Sequence, residues 1–271
     1  MIRVLHPLPR RVRGFTLAEL AIAFLVISLL LGGMLMTLSA QNQTRQLAET
    51  QRTMENARDA LMGFAVRFGR LPCPAVDGTT GDESRRPPAN ANTCTVCAIT
   101  TEYCEGMLPA LTLGIGPTDR QGYLVDAWGN RVRYAVTNWS KDGTVEADCP
   151  PNGLKDYKKC PAFTTGNAIA SLGMTNAPSF STQPAMLRIC DAAGCAGTNF
   201  YAPAVVWSPG RSHPTTGAVS ADELENLGVT LGTFIMHEER DPTHPSGQFD
   251  DIVTWLSPSV LYSRLVSAGA L

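Results

Sequence analysis

The residues with the most chemistry open to them are eight cysteines: Cys73, Cys94, Cys97, Cys104, Cys149, Cys160, Cys190 and Cys195. In an oxidising compartment an even set of thiols forms disulfides, each adding about 2–4 kcal/mol by restricting the unfolded chain. Proximity favours Cys149–Cys160 and Cys190–Cys195, leaving Cys73, Cys94, Cys97 and Cys104 to pair among themselves. The competing chemistry is zinc at the Cys94-x2-Cys97 spacing, with Cys73 and Cys104 as further thiolates. His237-Glu238-Glu239 and His244 supply metal-ligating types close together, but Arg240, Asp241, Pro242 and Pro245 around them read as a polar loop. There is no G-x-S-x-G elbow, no H-E-x-x-H and no phosphate-binding glycine loop. Nothing in the sequence assembles a catalytic constellation, so no enzyme is expected.

Which cysteine chemistry holds depends on where the chain resides. The first 14 residues carry Arg3, Arg10, Arg11 and Arg13 and no acid, and removing them takes the formal net charge from −2 to −6. From Phe15 to Ala40 the chain is apolar apart from Glu19. As a helix this stretch spans roughly 39 Å, enough for a hydrocarbon core of about 30 Å. Basic residues precede it and mixed charge follows from Arg45, so the N-terminus is expected in the cytoplasm and all eight cysteines outside. That placement favours disulfides over zinc. A hydrophobic content of 44% with 17% charged residues argues for a folded chain, and the net charge gives no case for nucleic-acid binding.

A secretory signal places its cleavage site after the apolar stretch. Here the candidate junction, Gly14–Phe15, precedes it, so cutting there leaves the helix on the mature protein. A conventional site after Ala40 has Leu38 at its −3 position, a poor small-residue match, and Arg10-Arg11 sits in a poor twin-arginine context. Glu19 is an acid inside a membrane helix, costly unless something pairs with it. Arg13-Gly14-Phe15-Thr16-Leu17-Ala18-Glu19 resembles the class III signal of type IV prepilins and type II secretion pseudopilins. The resemblance implies recognition of Gly14 by a prepilin peptidase, N-methylation of Phe15, and a role for Glu19 in assembly. A freed Phe15 amine would pair with the Glu19 carboxylate of a neighbouring subunit.

Beyond the apolar stretch, Leu47, Thr50, Met54, Ala57, Leu61, Phe64 and Phe68 recur at steps of three and four, a helical stripe expected to pack on the protein's own core. Gly69 and Pro72 end that helix, and Gly32-Gly33 marks a soft point within it. Residues 74–93 read as a loop, and Arg131–Val136, Met186–Cys190 and Ala204–Trp207 as strands. Leu224–Leu231 takes no assignment, and Asp251–Leu265 suggests short helical turns interrupted by Pro258. The expected organisation is a leader at 1–14, a helix at 15–69 (transmembrane over 15–40, amphipathic over 41–69), and a disulfide-bonded periplasmic or extracellular head at 70–271. The fold class is α+β, a long N-terminal helix packed on a head with an antiparallel sheet.

Two head segments extend the resemblance. Asp126-Ala127-Trp128-Gly129-Asn130 is similar to the D-P-W-G-N turn of pseudopilin heads, with Ala127 in place of proline. Ser208-Pro209-Gly210 with Asp250-Asp251-Ile252-Val253-Thr254-Trp255 resembles the S-x-G…D-I-x-x-W pattern of major pseudopilins. In those proteins this loop region binds calcium, which makes Asp250 and Asp251 calcium candidates. Arg211 and Ser212 stand where an aspartate is expected, however, so a solvated turn is the favoured reading and no cofactor is assigned. The resemblance implies a structural subunit, and its cysteine-rich loops point to a minor one. Its partners would be other pilin or pseudopilin subunits, prepilin peptidase, the filament machinery and inner-membrane lipid. The contrasting reading is a membrane-anchored periplasmic enzyme or binding protein.

Overall fold

The computed structural model describes residues 16–68, 70–84, 94, 103–137, 187–195, 197, 199–212, 220–228 and 232–269, with the side chains of 31–40, 137 and 199 excepted. Gly14, Phe15, Gly69, Cys97, Cys149 and Cys160 lie outside them. The chain forms two compact units, Met1–Gln46 and Leu47–Leu271, and the division falls inside one helix, α1 (Leu17–Phe68). In the first unit the apolar side chains from Leu17 to Leu30 are exposed. Among the described residues no helix is long and apolar enough to cross a membrane. The expected span over Phe15–Ala40 includes Phe15 and the side chains of 31–40, which lie outside that description.

In the second unit the stripe of three-and-four spacing is the face that packs. Thr50, Met54, Ala57, Leu61 and Phe64 are buried, joined by Thr53 and Ala65, while Phe68 stays 47% exposed. The described residues of the head form two sheets. The first is antiparallel throughout, in the order β1 (Tyr103–Met107), β2 (Arg133–Thr137), β5 (Ala204–Ser208), β7 (Ile252–Trp255). The second has the order β4 (Asn199–Ala202), β3 (Leu187–Cys190), β6 (Thr233–Ile235), with β3 antiparallel to β4 but parallel to β6.

Alternation along the first sheet sorts its side chains to two cores. Tyr134, Val136, Ala204 and Val206 face Met54, Ala57, Leu61 and Ala65 of α1, together with Leu261 and Leu265 of the last helix. Ala135, Val205, Trp207 and Val253 face Leu187, Ile189, Ala202 and Phe234 of the second sheet. β5 is buried along its whole length because it is an inner strand covered on both faces.

Among the described residues of the head there are also three short helices: α2 (Ala110–Leu113), α3 (Ala221–Gly228) and α4 (Pro258–Ser267). Several expectations need correction. The stretch 251–265 is a strand followed by a helix, not interrupted helical turns. Pro258 opens α4, where its missing N–H is one of the donors a first turn leaves unused. The unassigned stretch 224–231 belongs, over its described residues, to α3. The antiparallel expectation holds for the first sheet, whereas the second is mixed.

Candidate functional site

At the start of α1, Thr16 and Glu19 close on each other. The Thr16 backbone N–H and hydroxyl both donate to Glu19 Oε2, each at 2.9 Å, and Glu19 N–H donates to Thr16 Oγ1 at 3.3 Å. This is a reciprocal capping box, in which each residue satisfies a backbone donor the first turn leaves without a helical partner. Of the processing and assembly residues, Glu19 is the one the structure describes. Thr16 was not singled out from the sequence, although the T-x-x-E spacing ahead of an apolar run is itself the signature.

In the head, the two turns singled out from the sequence meet. Asp126 Oδ1 accepts from Trp128 N–H at 2.9 Å and Asn130 N–H at 2.8 Å, closing the D-A-W-G-N turn, with Gly129 at φ +86°. Its other oxygen accepts from the Ser208 hydroxyl at 2.6 Å, both residues being buried. Asn130 Nδ2 donates to the Gly210 carbonyl at 2.6 Å, and Gly210 N–H donates to Ser208 Oγ at 3.2 Å. Ala127 N–H donates to Thr50 Oγ1 at 3.1 Å, tying the same turn to the buried stripe of α1.

Gly210 leads on to the acidic residues. A Cβ there would stand 2.2 Å from the Asp250 carbonyl oxygen, and its φ of +65° also suits glycine alone. One oxygen each from Asp250, Asp251 and Glu223 lies within 4.8 Å of the others. Glu223, on α3, was not linked to the aspartates from sequence, since nothing local signals a contact across 27 positions. Asp250 is buried, so this is not the solvated turn expected. Its Oδ2 accepts from Ser212 N–H (3.0 Å) and Gln248 Nε2 (3.1 Å), and its Oδ1 from the Ser212 hydroxyl (2.7 Å). Glu223 Oε1 accepts from the Ser212 hydroxyl and Asp250 N–H, each at 3.2 Å, and Asp251 Oδ2 accepts from Asn226 Nδ2 at 2.8 Å.

Burial pushes the pKa of Asp251 up to about 8, with Glu223 and Asp250 adding repulsion against the Asn226 hydrogen bond. Burial also raises Glu223. Calcium needs six to eight oxygen ligands. Three carboxylates alone fall short of that number, and each accepts from an N–H or O–H donor of the surrounding chain. The trio is a hydrogen-bonded latch joining the Ser212 segment, α3 and the start of β7.

The remaining candidates separate. His237 turns inward, with Nε2 3.0 Å from Asp222 and its ring 3.8 Å from that of Phe249, whereas His244 is exposed. The two do not converge on a metal set. Asp222 also accepts from Arg240 (2.7 Å) and from Ala193 N–H (2.9 Å). Burial alone would raise the Asp222 carboxyl, but these donors and His237 hold it below its ordinary value. Cys73 is bonded to Cys94 and Cys190 to Cys195, and Cys104 is also disulfide-bonded. With Cys73, Cys94 and Cys104 oxidised, the zinc alternative has lost its thiolates.

Residues 9–35 match the prokaryotic N-terminal methylation motif, a segment that includes Gly14, Phe15, Thr16 and Glu19. The match supports a type IV pilin-like or pseudopilin-like protein. No curated protein and no solved structure matches the chain.

Proposed function

We propose that this methylation-motif chain is a structural subunit of a type IV pilus or type II secretion filament, assembled through its N-terminal helix with its head facing outward to set contacts. The observation that carries the reading is the motif over residues 9–35, with its Gly14–Phe15 junction ahead of the apolar stretch and Glu19 beyond it. A prepilin peptidase removes the leader after Gly14, and methylation caps the Phe15 amine. The precursor sits in the inner membrane with the head on the periplasmic side, a placement supported by the charge asymmetry and consistent with the oxidised cysteines. In the filament, Glu19 pairs with a neighbouring subunit's Phe15 amine. The protein works by assembly and contact, not catalysis, and the size and disulfides of its head favour a minor subunit.

Mass spectrometry of the mature N-terminus tests this directly. An N-methylated Phe15 is expected. A chain retaining Met1, or beginning at Gln41 after conventional signal cleavage, would refute it in favour of an anchored or secreted periplasmic enzyme or binding protein.

A further inference from the structure

We propose that the Cys190–Cys195 disulfide is a redox-sensitive clamp on the start of α3, opened by a dithiol while the sheets of the head stay folded. The clamp would act whether or not the chain enters a filament. Its bond closes a short ring at the end of β3, with a sequence separation of 5 against 21 for Cys73–Cys94. The shorter ring restricts the unfolded chain less, so its loss costs the fold less. Location separates the two bonds further. Cys73 and Cys94 lie in the principal core with Met54, Leu61 and Tyr134, whereas Cys190 and Cys195 form a small cluster with Ile235 and Phe249.

The ring holds α3 through one hydrogen bond. Cys195 N–H donates to the Ala192 carbonyl at 3.0 Å, closing a turn, and Ala193 N–H in that turn donates to Asp222 Oδ1 at 2.9 Å. Asp222 lies in the first turn of α3, and the next residue, Glu223, accepts from Ser212 and Asp250 in the carboxylate latch. To make this turn the chain passes through left-handed backbone at Gly194 (φ +79°) and again at Cys195 (φ +54°). Glycine adopts that conformation freely, but Cys195 is the one non-glycine residue with a positive φ among the described residues. The disulfide keeps it there. Opening the ring lets Cys195 relax and takes Ala193 N–H out of its fixed place opposite Asp222. The rest of α3 keeps its hold, since Asn226 donates to the Ile235 carbonyl at 3.0 Å and accepts from Ile235 N–H at 2.7 Å. Loosening is therefore confined to the start of the helix.

Cys195 is 8% exposed and Cys190 2%, so a reductant meets Cys195 first. A thiolate of the dithiol attacks Cys195 Sγ, the Sγ–Sγ bond breaks, and Cys190 leaves as a thiolate that takes up a proton. The second thiol of the dithiol then displaces Cys195 Sγ, which is protonated in turn. The dithiol ends as a cyclic disulfide, and the electron pair and both protons it gave up are on the protein's cysteines.

The test titrates the full-length protein in detergent with dithiothreitol, followed by alkylation, mass mapping of the thiols and amide hydrogen exchange. Cys190 and Cys195 should be alkylated together at a dithiothreitol concentration about tenfold below that needed for Cys73 and Cys94. At that concentration exchange at Ala193, and at Glu223 and Leu224, whose N–H groups bond to Ser220, should speed about tenfold while β2 and β5 keep their protection. The Cys190→Ser/Cys195→Ser double variant should show the same exchange with no reductant present. If that variant does not accumulate, titration of the parent decides alone. The clamp is refuted if Cys73 and Cys94 open before or together with Cys190 and Cys195. It is equally refuted if the start of α3 exchanges as before once the ring is open, or if opening the ring unfolds the sheets as well.

Discussion

Asp251 shows how one residue's surroundings can set the pH response of the head. The ordinary aspartate value is 3.8, and in the folded protein burial raises it to about 8. Between those limits the native state holds a proton that the unfolded chain has released. This contribution to stability is therefore fully present below about pH 4 and is lost as pH rises through about 8. The raised Glu223 adds to the same slope. Asp251→Asn keeps an oxygen to accept from Asn226 Nδ2 and has no proton to lose. The variant is expected to match the parent near pH 4 and exceed it near pH 8 by on the order of a few kcal/mol, read from denaturant midpoints across that range. Equal slopes for the two proteins would show that Asp251 ionises freely in the fold. The sequence singled out Asp250 and Asp251 as a pair but assigned them to solvent. What reversed that reading is Glu223 and Asn226 on α3, whose approach is a tertiary event with no local signature.

Among elements, the two turns at Asp126–Asn130 and Ser208–Gly210 are locked by a buried hydroxyl-carboxylate bond of 2.6 Å. Ser208→Ala removes the donor and leaves a buried carboxylate oxygen with only the longer Asn130 Nδ2 contact at 3.3 Å. A loss of about 1–3 kcal/mol in unfolding free energy is expected. No change on this substitution would mean that the turns are held together by the surrounding apolar packing alone.

Legibility also varied by element. The stripe on α1 could be read because a helix buries residues at a fixed short period, and Met54, Ala57, Leu61 and Phe64 keep it. β5 could be read from its β-branched and aromatic run. β1 could not, since Tyr103–Met107 carries a cysteine and a glycine and its place at an edge is set by pairing with β2. Nor could β6, whose three residues gain their place by parallel pairing with β3. Pro258 was legible as a break but not as a beginning, because only the strand before it shows which side of the proline is helical.

For the whole molecule, the division between units predicts which fragment can fold. A chain starting at Leu47 keeps Met54, Ala57, Leu61 and Ala65 in the principal core of the head. It should unfold in one cooperative transition, followed by circular dichroism, and reduction of its disulfides should cost about 2–4 kcal/mol for each bond lost. A chain starting at Arg70 lacks that wall of the core and should fail to give a cooperative transition. A cooperative Arg70 fragment would show that the helix decorates a head able to stand without it. The sequence divides the helix at 40/41, where the apolar run ends; the contacts of the folded head move the boundary to Gln46, just ahead of Leu47, where the stripe begins.

The hydrogen bond from Ala127 N–H to Thr50 Oγ1 has a mechanical consequence. Thr50 is buried on the first turns of α1 that belong to the head, and Met54, Ala57 and Leu61 follow it along the same face. Tension applied through the backbone before Leu47 reaches this row first. The helix is thus rooted in the head along this row, and the Asp126 turn is bonded to its first buried residue, Thr50.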